Sequence, residues 1–181
     1  MTDFSGNELI KTDIFEKVGL EQGMNVGDLG CGNLGYFSVP AAKIVGKTGI
    51  VYAVDILKPV LLSVDGIAKK EGLDNIKTVW SNLEIVGATK IPEASLDLVA
   101  TINMLFQSDK DEVVLKEAYR LVKSGGKLLI VDWKSVDVPF GPKLETRIKK
   151  EDAIKFSQDA GFKLLEEFEA GPYHFGLIFV K

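Results

Sequence analysis

Asp28-Leu29-Gly30-Cys31-Gly32-Asn33-Leu34-Gly35 is the stretch of this chain with the plainest chemical purpose. Three glycines at G-x-G-x-x-G spacing follow an apolar run and open a helical one. They let the backbone turn sharply and let a ligand come close to the helix N-terminus. Asp55 closes the next apolar run, 20 residues past Gly35. A carboxylate there can accept two hydrogen bonds from ribose hydroxyls. Two ligand chemistries satisfy this pattern: a dinucleotide diphosphate, or an adenosyl cation bearing an ammonium and a sulfonium. Asp28, two residues before Gly30, separates them. At an effective dielectric near 20, two unit charges about 4 Å apart interact by roughly 4 kcal/mol. That repulsion disfavours a diphosphate and favours the cation. The competing reading is that Asp28 caps the loop and says nothing of the ligand.

The elements that must position these residues follow from periodicity. Apolar positions from Asn7 to Leu20 have helical spacing and stop at Gly19. Met24–Leu29, Ile50–Val54, Ile76–Trp80, Leu96–Ile102 and Lys127–Trp133 read as short strands, the second a Val/Ile-rich run typical of burial on both faces. Helices are expected over Leu34–Val45, Pro59–Lys70, Asp109–Val122 (with Asp109 as N-cap) and Lys150–Ala160. Phe162–Phe168 and Tyr173–Val180 are separated by four residues, which favours an antiparallel hairpin. Alternating strands and helices imply a doubly wound α/β sheet, seven-stranded and mostly parallel, with an antiparallel last strand. Ligands of such sheets bind at the carboxyl ends of the strands, so function belongs in the loops after the first five.

Composition narrows the classes. The chain has 181 residues, enough for one domain, residues 1–181, without a second of ordinary size. A net charge of −4 argues against broad attraction to nucleic acid or to an anionic membrane. One cysteine, Cys31, and one histidine, His174, exclude a disulfide framework and a Cys- or His-rich metal site. No apolar run approaches a membrane span, and Met1–Lys17 lacks a signal-peptide pattern. A cytoplasmic location is the default expectation; the oligomeric state is left open.

From Met24 onward the chain resembles a class I S-adenosylmethionine-dependent methyltransferase. Asp28–Gly32 matches that family's first motif and Val51-Tyr52-Ala53-Val54-Asp55 its second. Ser95-Leu96-Asp97-Leu98-Val99 resembles the approach to the fourth strand, and Leu121–Leu128 the turn before the fifth. The resemblance implies the strand order 3-2-1-4-5-7-6. It implies a methionine end of the cofactor lined by Gly30, Cys31, Gly32, Asn33 and Gly35 and assisted by Asp28. Asp55 would hold the ribose, and Ile56 would pack on the adenine. Asn82 stands where the family often has an acid for the adenine amino group, with the Leu83 amide beside it. Asn103 would lie under the methyl donor.

Methyl transfer from a sulfonium is an in-line displacement, and alignment alone is worth up to roughly 7–11 kcal/mol. A base is needed only when the acceptor keeps its proton at neutral pH. The expected hairpin tip, Gly171–His174, lies at the cofactor side of the sheet, which makes His174 and Tyr173 the catalytic candidates. Cys31 reads as a packed side chain, Phe37 as core and Trp133 as a wall of the acceptor pocket. The irregular loop 134–149 is a candidate substrate loop. Its Lys134, Lys143 and Arg147 could meet an anionic acceptor, against a reading as solvated charge. The N-terminal helix of residues 1–20, with Phe4 nearby, is either a lid or a packing helix. No metal is expected. The leading reading is a methyltransferase acting on a small molecule. The alternatives are an RNA or protein acceptor, a non-catalytic cofactor-binding partner subunit, and a nicotinamide-dependent oxidoreductase, which Asp28 and the length disfavour.

Overall fold

The computed structural model describes residues 13–181. Most of the expected N-terminal helix, and Phe4, lie outside them. In chain order the elements are α1 (Asp13–Val18), β1 (Asn25–Leu29), α2 (Ser38–Val45), β2 (Ile50–Asp55), α3 (Lys58–Glu71) and β3 (Ile76–Trp80). They continue with β4 (Leu96–Ile102), α4 (Asp111–Leu121), β5 (Val122–Trp133), α5 (Lys150–Ala160), β6 (Lys163–Glu169) and β7 (His174–Val180).

The strands form one sheet in the order β3-β2-β1-β4-β5-β7-β6. β1, β2, β3, β4 and β5 pair in parallel, and β7 runs antiparallel between β5 and β6. This is the expected α/β architecture. Side-chain alternation divides the core between the two faces. Leu29, Val54, Val99, Leu128 and Ile130 face α4 and α5, meeting Val114, Leu115, Ala118 and Ala153. Val26, Val51, Leu98, Leu129 and Val131 face α1 and α2, meeting Ile14, Phe15, Ala41 and Val45. Phe37 is core, as expected, stacked on Phe15 with ring centroids 5.2 Å apart.

Three element starts differ from the sequence expectation by two residues or more. α2 begins at Ser38, because residues 30–37 are spent on the glycine loop and two turns. α4 begins at Asp111 rather than at an Asp109 cap; the Asp109 amide is taken by the Glu84 carboxylate at 2.9 Å. β5 begins at Val122, which pairs with Leu96 before a register shift resumes the ladder at Lys127 opposite Leu98.

One buried network ties the loop after β3 to α4. The Glu117 carboxylate is fully buried and accepts from the Gly87 amide (2.6 Å), the Thr89 hydroxyl (2.6 Å) and two nitrogens of Arg120 (2.8 and 2.9 Å). Burial pushes this acid upward, but the hydrogen bonds from Arg120, Gly87 and Thr89 outweigh it and leave it below the usual range. Arg120 also donates to Ile91 O and Thr89 Oγ1. The loop wall is therefore pinned by a charge that cannot be left alone. Arg120→Met should lower stability by about 3 kcal/mol or more in urea unfolding, because Glu117 would stay buried and unpaired. Lys155→Ala, at the exposed pair with Asp159, should leave the urea midpoint unchanged.

Candidate cofactor cleft

The site opens where β1, β2, β3 and β4 end. The Gly30 and Cys31 amides both donate to Val54 O, at 2.8 and 3.1 Å, which folds the glycine loop across the tip of β2. Gly30 has φ +79°, and a Cβ added there would stand 2.2 Å from Met104 Cγ. Only glycine allows Met104, arriving from the β4 exit, to close this side. Gly32 has φ +64°, and a Cβ there would meet nothing within 4 Å. The backbone at Gly32 thus borders open space.

That space is a cleft of about 470 Å³, within the range of small-ligand sites. Gly30, Gly32, Asn33, Asp55, Ile56, Asn82 and Leu83, all expected from the sequence, line it. So do eight residues that were not expected: Leu57, Val60, Ser81, Glu84, Met104, Gln107, Ser108 and Val114. Asp55 and Glu84 are the charged residues among these, and no Lys, Arg or His lines the cleft among the described residues. Asp55 Oδ1 accepts the Leu57 amide at 2.9 Å, leaving Oδ2 to face outward bonds. Asn82 Oδ1 accepts the Glu84 amide at 2.9 Å, an Asx turn that holds the carbonyl and presents the amide nitrogen. Glu84 Oε1 accepts Ser108 Oγ (3.1 Å) and the Asp109 amide (2.9 Å), joining the β3 and β4 exits. Ile56 and Leu57 are more than half exposed at the rim, an apolar surface a flat ring could cover.

Four expected cofactor residues are not in the lining. Asp28 is buried and turned toward α2, where Oδ2 accepts Ser38 Oγ at 2.6 Å. Asp28 therefore spends its carboxylate on Ser38 behind the glycine loop and does not face the ligand as expected. The same discrimination rests instead on Asp55 and Glu84, which would face a diphosphate with no cation to offset them. Cys31 packs with Ala53, Leu61 and Val64, and burial pushes its thiol far above the usual range, with Asp28 and Asp55 adding to the shift. Gly35 is buried against Val39 and Val64. Asn103 ends β4 at φ +51°, its amide donating to Val131 O at 2.8 Å and its Oδ1 buried without a partner.

The catalytic candidates sit elsewhere. β7 does place His174 and Tyr173 at the carboxyl end of β5, with His174 paired to Trp133. Yet His174 is buried, its ring centroid 4.2 Å from that of Trp133, and it does not line the cleft. Burial, with Arg147 and Lys134 nearby, pulls its pKa down to about 4 and holds it neutral. Tyr173 stands edge-on to Phe140 at 4.9 Å. The loop 134–149 is tied down from within. Arg147 is buried and donates to Pro142 O, Lys134 O and Val136 O over 2.6–3.0 Å, while Lys134 bonds Glu169, Gly171 O and Pro172 O. Neither cation is left to meet an acceptor; Lys143 is exposed.

The missed lining residues left weak traces. Leu57 and Val60 are apolar residues at the start of a helix just past Asp55, and Glu84 lies two residues past Asn82. Met104, Gln107 and Ser108 lie in the loop after the fourth strand, where function was expected, but nothing in their types marked them out; Val114 left no trace beyond a core pattern.

A glycine-turned, carboxylate-lined cleft at the exits of a 3-2-1-4-5-7-6 sheet defines an α/β domain that binds an adenosyl cofactor. The chain belongs to the methyltransferase domain family, whose model matches residues 20–169. It is 29% identical over 123 residues to a demethylmenaquinone methyltransferase of Geobacillus sp. (strain WCH70), covering 67% of this chain and 50% of that protein. It is 30% identical over 137 residues to a ubiquinone/menaquinone biosynthesis C-methyltransferase of Hydrogenovibrio crunogenus, covering 75% and 52%. The chain thus spans about half the length of these curated relatives. A crystal structure of a SAM-dependent methyltransferase from Aquifex aeolicus superposes with a TM-score of 0.88 at 26% identity, covering 98% of this chain and 93% of that one.

S-adenosylmethionine is the cofactor of this family, and the cleft fits it. The open cradle at Gly32, the unpartnered Ser81 Oγ and the carboxylates without counter-cations suit a cationic adenosyl group.

Burial raises Asp28 to about 7, Asp111 to about 7 and Asp132 to about 6, for Asp111 with Asp132 second. The folded chain therefore takes up protons on these acids before the unfolded chain does. Stability should rise as pH falls from 8 to 6.5, the rise being smaller in Asp28→Asn. Below about 6.5 the buried neutral His174 opposes it, since the unfolded histidine binds its proton first. Urea midpoints across this range check both signs.

Gly30→Ala should abolish binding of S-adenosylhomocysteine in calorimetry, because its Cβ displaces Met104 into the cleft. Wild-type affinity in that variant would contradict the described loop.

Proposed function

We propose that this chain transfers the methyl group of S-adenosylmethionine to a small-molecule acceptor by in-line displacement. The single observation that carries the reading is the cleft lining: a glycine loop with two carboxylates and, among the described residues, no cation. When bound, the cofactor supplies a methyl group on a sulfonium, a leaving group that departs without acid assistance. The chain's part is to bind, orient and exclude water.

In this reading Asp55 accepts the ribose hydroxyls through the oxygen that the Leu57 amide leaves available. Asn82 and the Leu83 amide meet the adenine edge, with Ile56 and Leu57 on its face. Gly30, Gly32 and Asn33 border the methionine end, and Asn103 Oδ1, buried without a partner, is the acceptor nearest the β4 exit. His174 and Tyr173 shape the acceptor side through the Trp133–Phe140 cluster and are not assigned the base. The names of the relatives favour a quinone-type ring, whose reduced form provides its own electron-rich carbon. An acceptor of that kind reduces the demand for a strong protein base.

Calorimetry with S-adenosylhomocysteine and NAD, followed by transfer from methyl-labelled S-adenosylmethionine, tests the reading. Label should pass to a demethylated hydroquinone and not to RNA or to a protein extract. Tight NAD binding without a response to S-adenosylhomocysteine would overturn the cofactor. Label found only in RNA or protein would overturn the acceptor. Asp55→Ala should weaken S-adenosylhomocysteine by about 10- to 100-fold, the worth of hydrogen bonds to a charged group.

A further inference from the structure

Asp132, at the carboxyl end of β5, is not part of the cleft and is fully buried. Its Oδ2 accepts the Leu105 amide at 3.1 Å and its Oδ1 the Trp133 amide at 2.8 Å. The neighbouring Met104 and Phe106 amides also favour the charged form of the carboxylate. The Leu105 amide opens the 3-10 turn Leu105–Gln107, where a helical segment has no carbonyl of its own to offer it. The segment is held at its other end by Gln107 Nε2, which donates to Asn103 O at 3.0 Å. Its outward face carries Met104 against Gly30 and places Gln107 in the cleft wall.

We infer that Asp132 is a positioning residue for the cofactor cleft: by accepting the Leu105 amide at the start of the turn it seats Met104 beneath the glycine loop. The inference rests on the cofactor reading of the cleft. It adds a residue 102 positions in sequence from the Gly30 that Met104 packs beneath.

Among the described residues no Lys, Arg or His acts on the carboxylate. β7 places Phe175 opposite Asp132, and the 3-10 turn carries no titratable residue. On α4, Asp111 is the charged group that feels Asp132, its own Oδ1 buried without a partner. The amides alone hold the charge, and burial leaves the acid titrating at about 6. Protonation removes an acceptor from the amide cluster and loosens the turn.

The test follows S-adenosylhomocysteine affinity by calorimetry from pH 8 to pH 5, with amide NMR on the same samples. In the wild-type chain, affinity should fall through about pH 6, and the Leu105 and Phe106 amide resonances should move with the same midpoint. Asp132→Asn should bind about tenfold more weakly at pH 8, the worth of one charge-assisted hydrogen bond, and should lack the acid step. Asp111→Asn should keep that step. The inference is overturned if Asp132→Asn binds like wild type at pH 8, or retains the acid step. Where that variant does not fold, the wild-type amide titration decides: resonances that stay still while affinity falls overturn it. A wild-type chain that binds no S-adenosylhomocysteine at any pH overturns the cofactor reading, and this inference with it.

Discussion

Everything at the cleft hangs on the absence of a side chain at Gly30. The loop can cross the tip of β2 only because the Gly30 and Cys31 amides share one carbonyl, Val54 O. Met104 can close beneath the loop only because nothing projects from Gly30 to meet it. β1 sits between β2 and β4, so a single tight crossing brings three strand exits together. Asp55 arrives from one side, Met104 and Gln107 from the other, and the β3 exit, with Asn82 and Glu84, completes the wall. The parallel sheet makes this convergence unavoidable, since all these strands end on the same edge.

Charge is arranged around that crossing with little neutralisation. Asp28 is held by Ser38, Asp132 by backbone amides, and Asp111 has an oxygen with no partner at all. Hydrogen bonds from neutral donors hold Asp28 and Asp132 and lower their pKa values, but burial outweighs them and leaves all three acids raised. Cations are used where they brace loops. Arg120 pins the β3 exit through Glu117, and Arg147 and Lys134 tie the long loop after β5 to itself and to the hairpin. The outcome is a cleft whose own charges are negative, suited to a cationic ligand and ill suited to a diphosphate.

The sheet was legible from periodicity and punctuation, including the antiparallel last strand that the short link at Glu169–Pro172 demanded. The glycine loop and Asp55 were legible from their spacing at strand ends, and Ile56, Asn82 and Leu83 through the family resemblance; all of them line the cleft except Cys31, Leu34 and Gly35 of the loop. The second wall was not. Glu84 reaches Ser108 and Asp109 across 24 and 25 residues, and Val114 enters from a helix whose pattern marks it only as core. Asp28 and His174 show the opposite failure. Both were rightly placed near the carboxyl edge, but burial against α2 and against Trp133 turned them away from solvent. Nothing in their local spacing carries that information. Arg147 likewise reads as a loop cation until three carbonyls of its own loop close around it.

What residue order alone decided is whatever depends on near neighbours: which segments are strands, where glycine permits a turn, and that an acid follows the second strand. Those are properties of a few consecutive dihedrals and of side-chain alternation, and they survive without knowing what packs on them. Packing decided which side of each segment faces the ligand, how Asp132 comes to serve a loop from another strand, and which charges stay unpaired. These depend on desolvation by groups far away in the chain, and that energy does not exist until the layers close over the sheet.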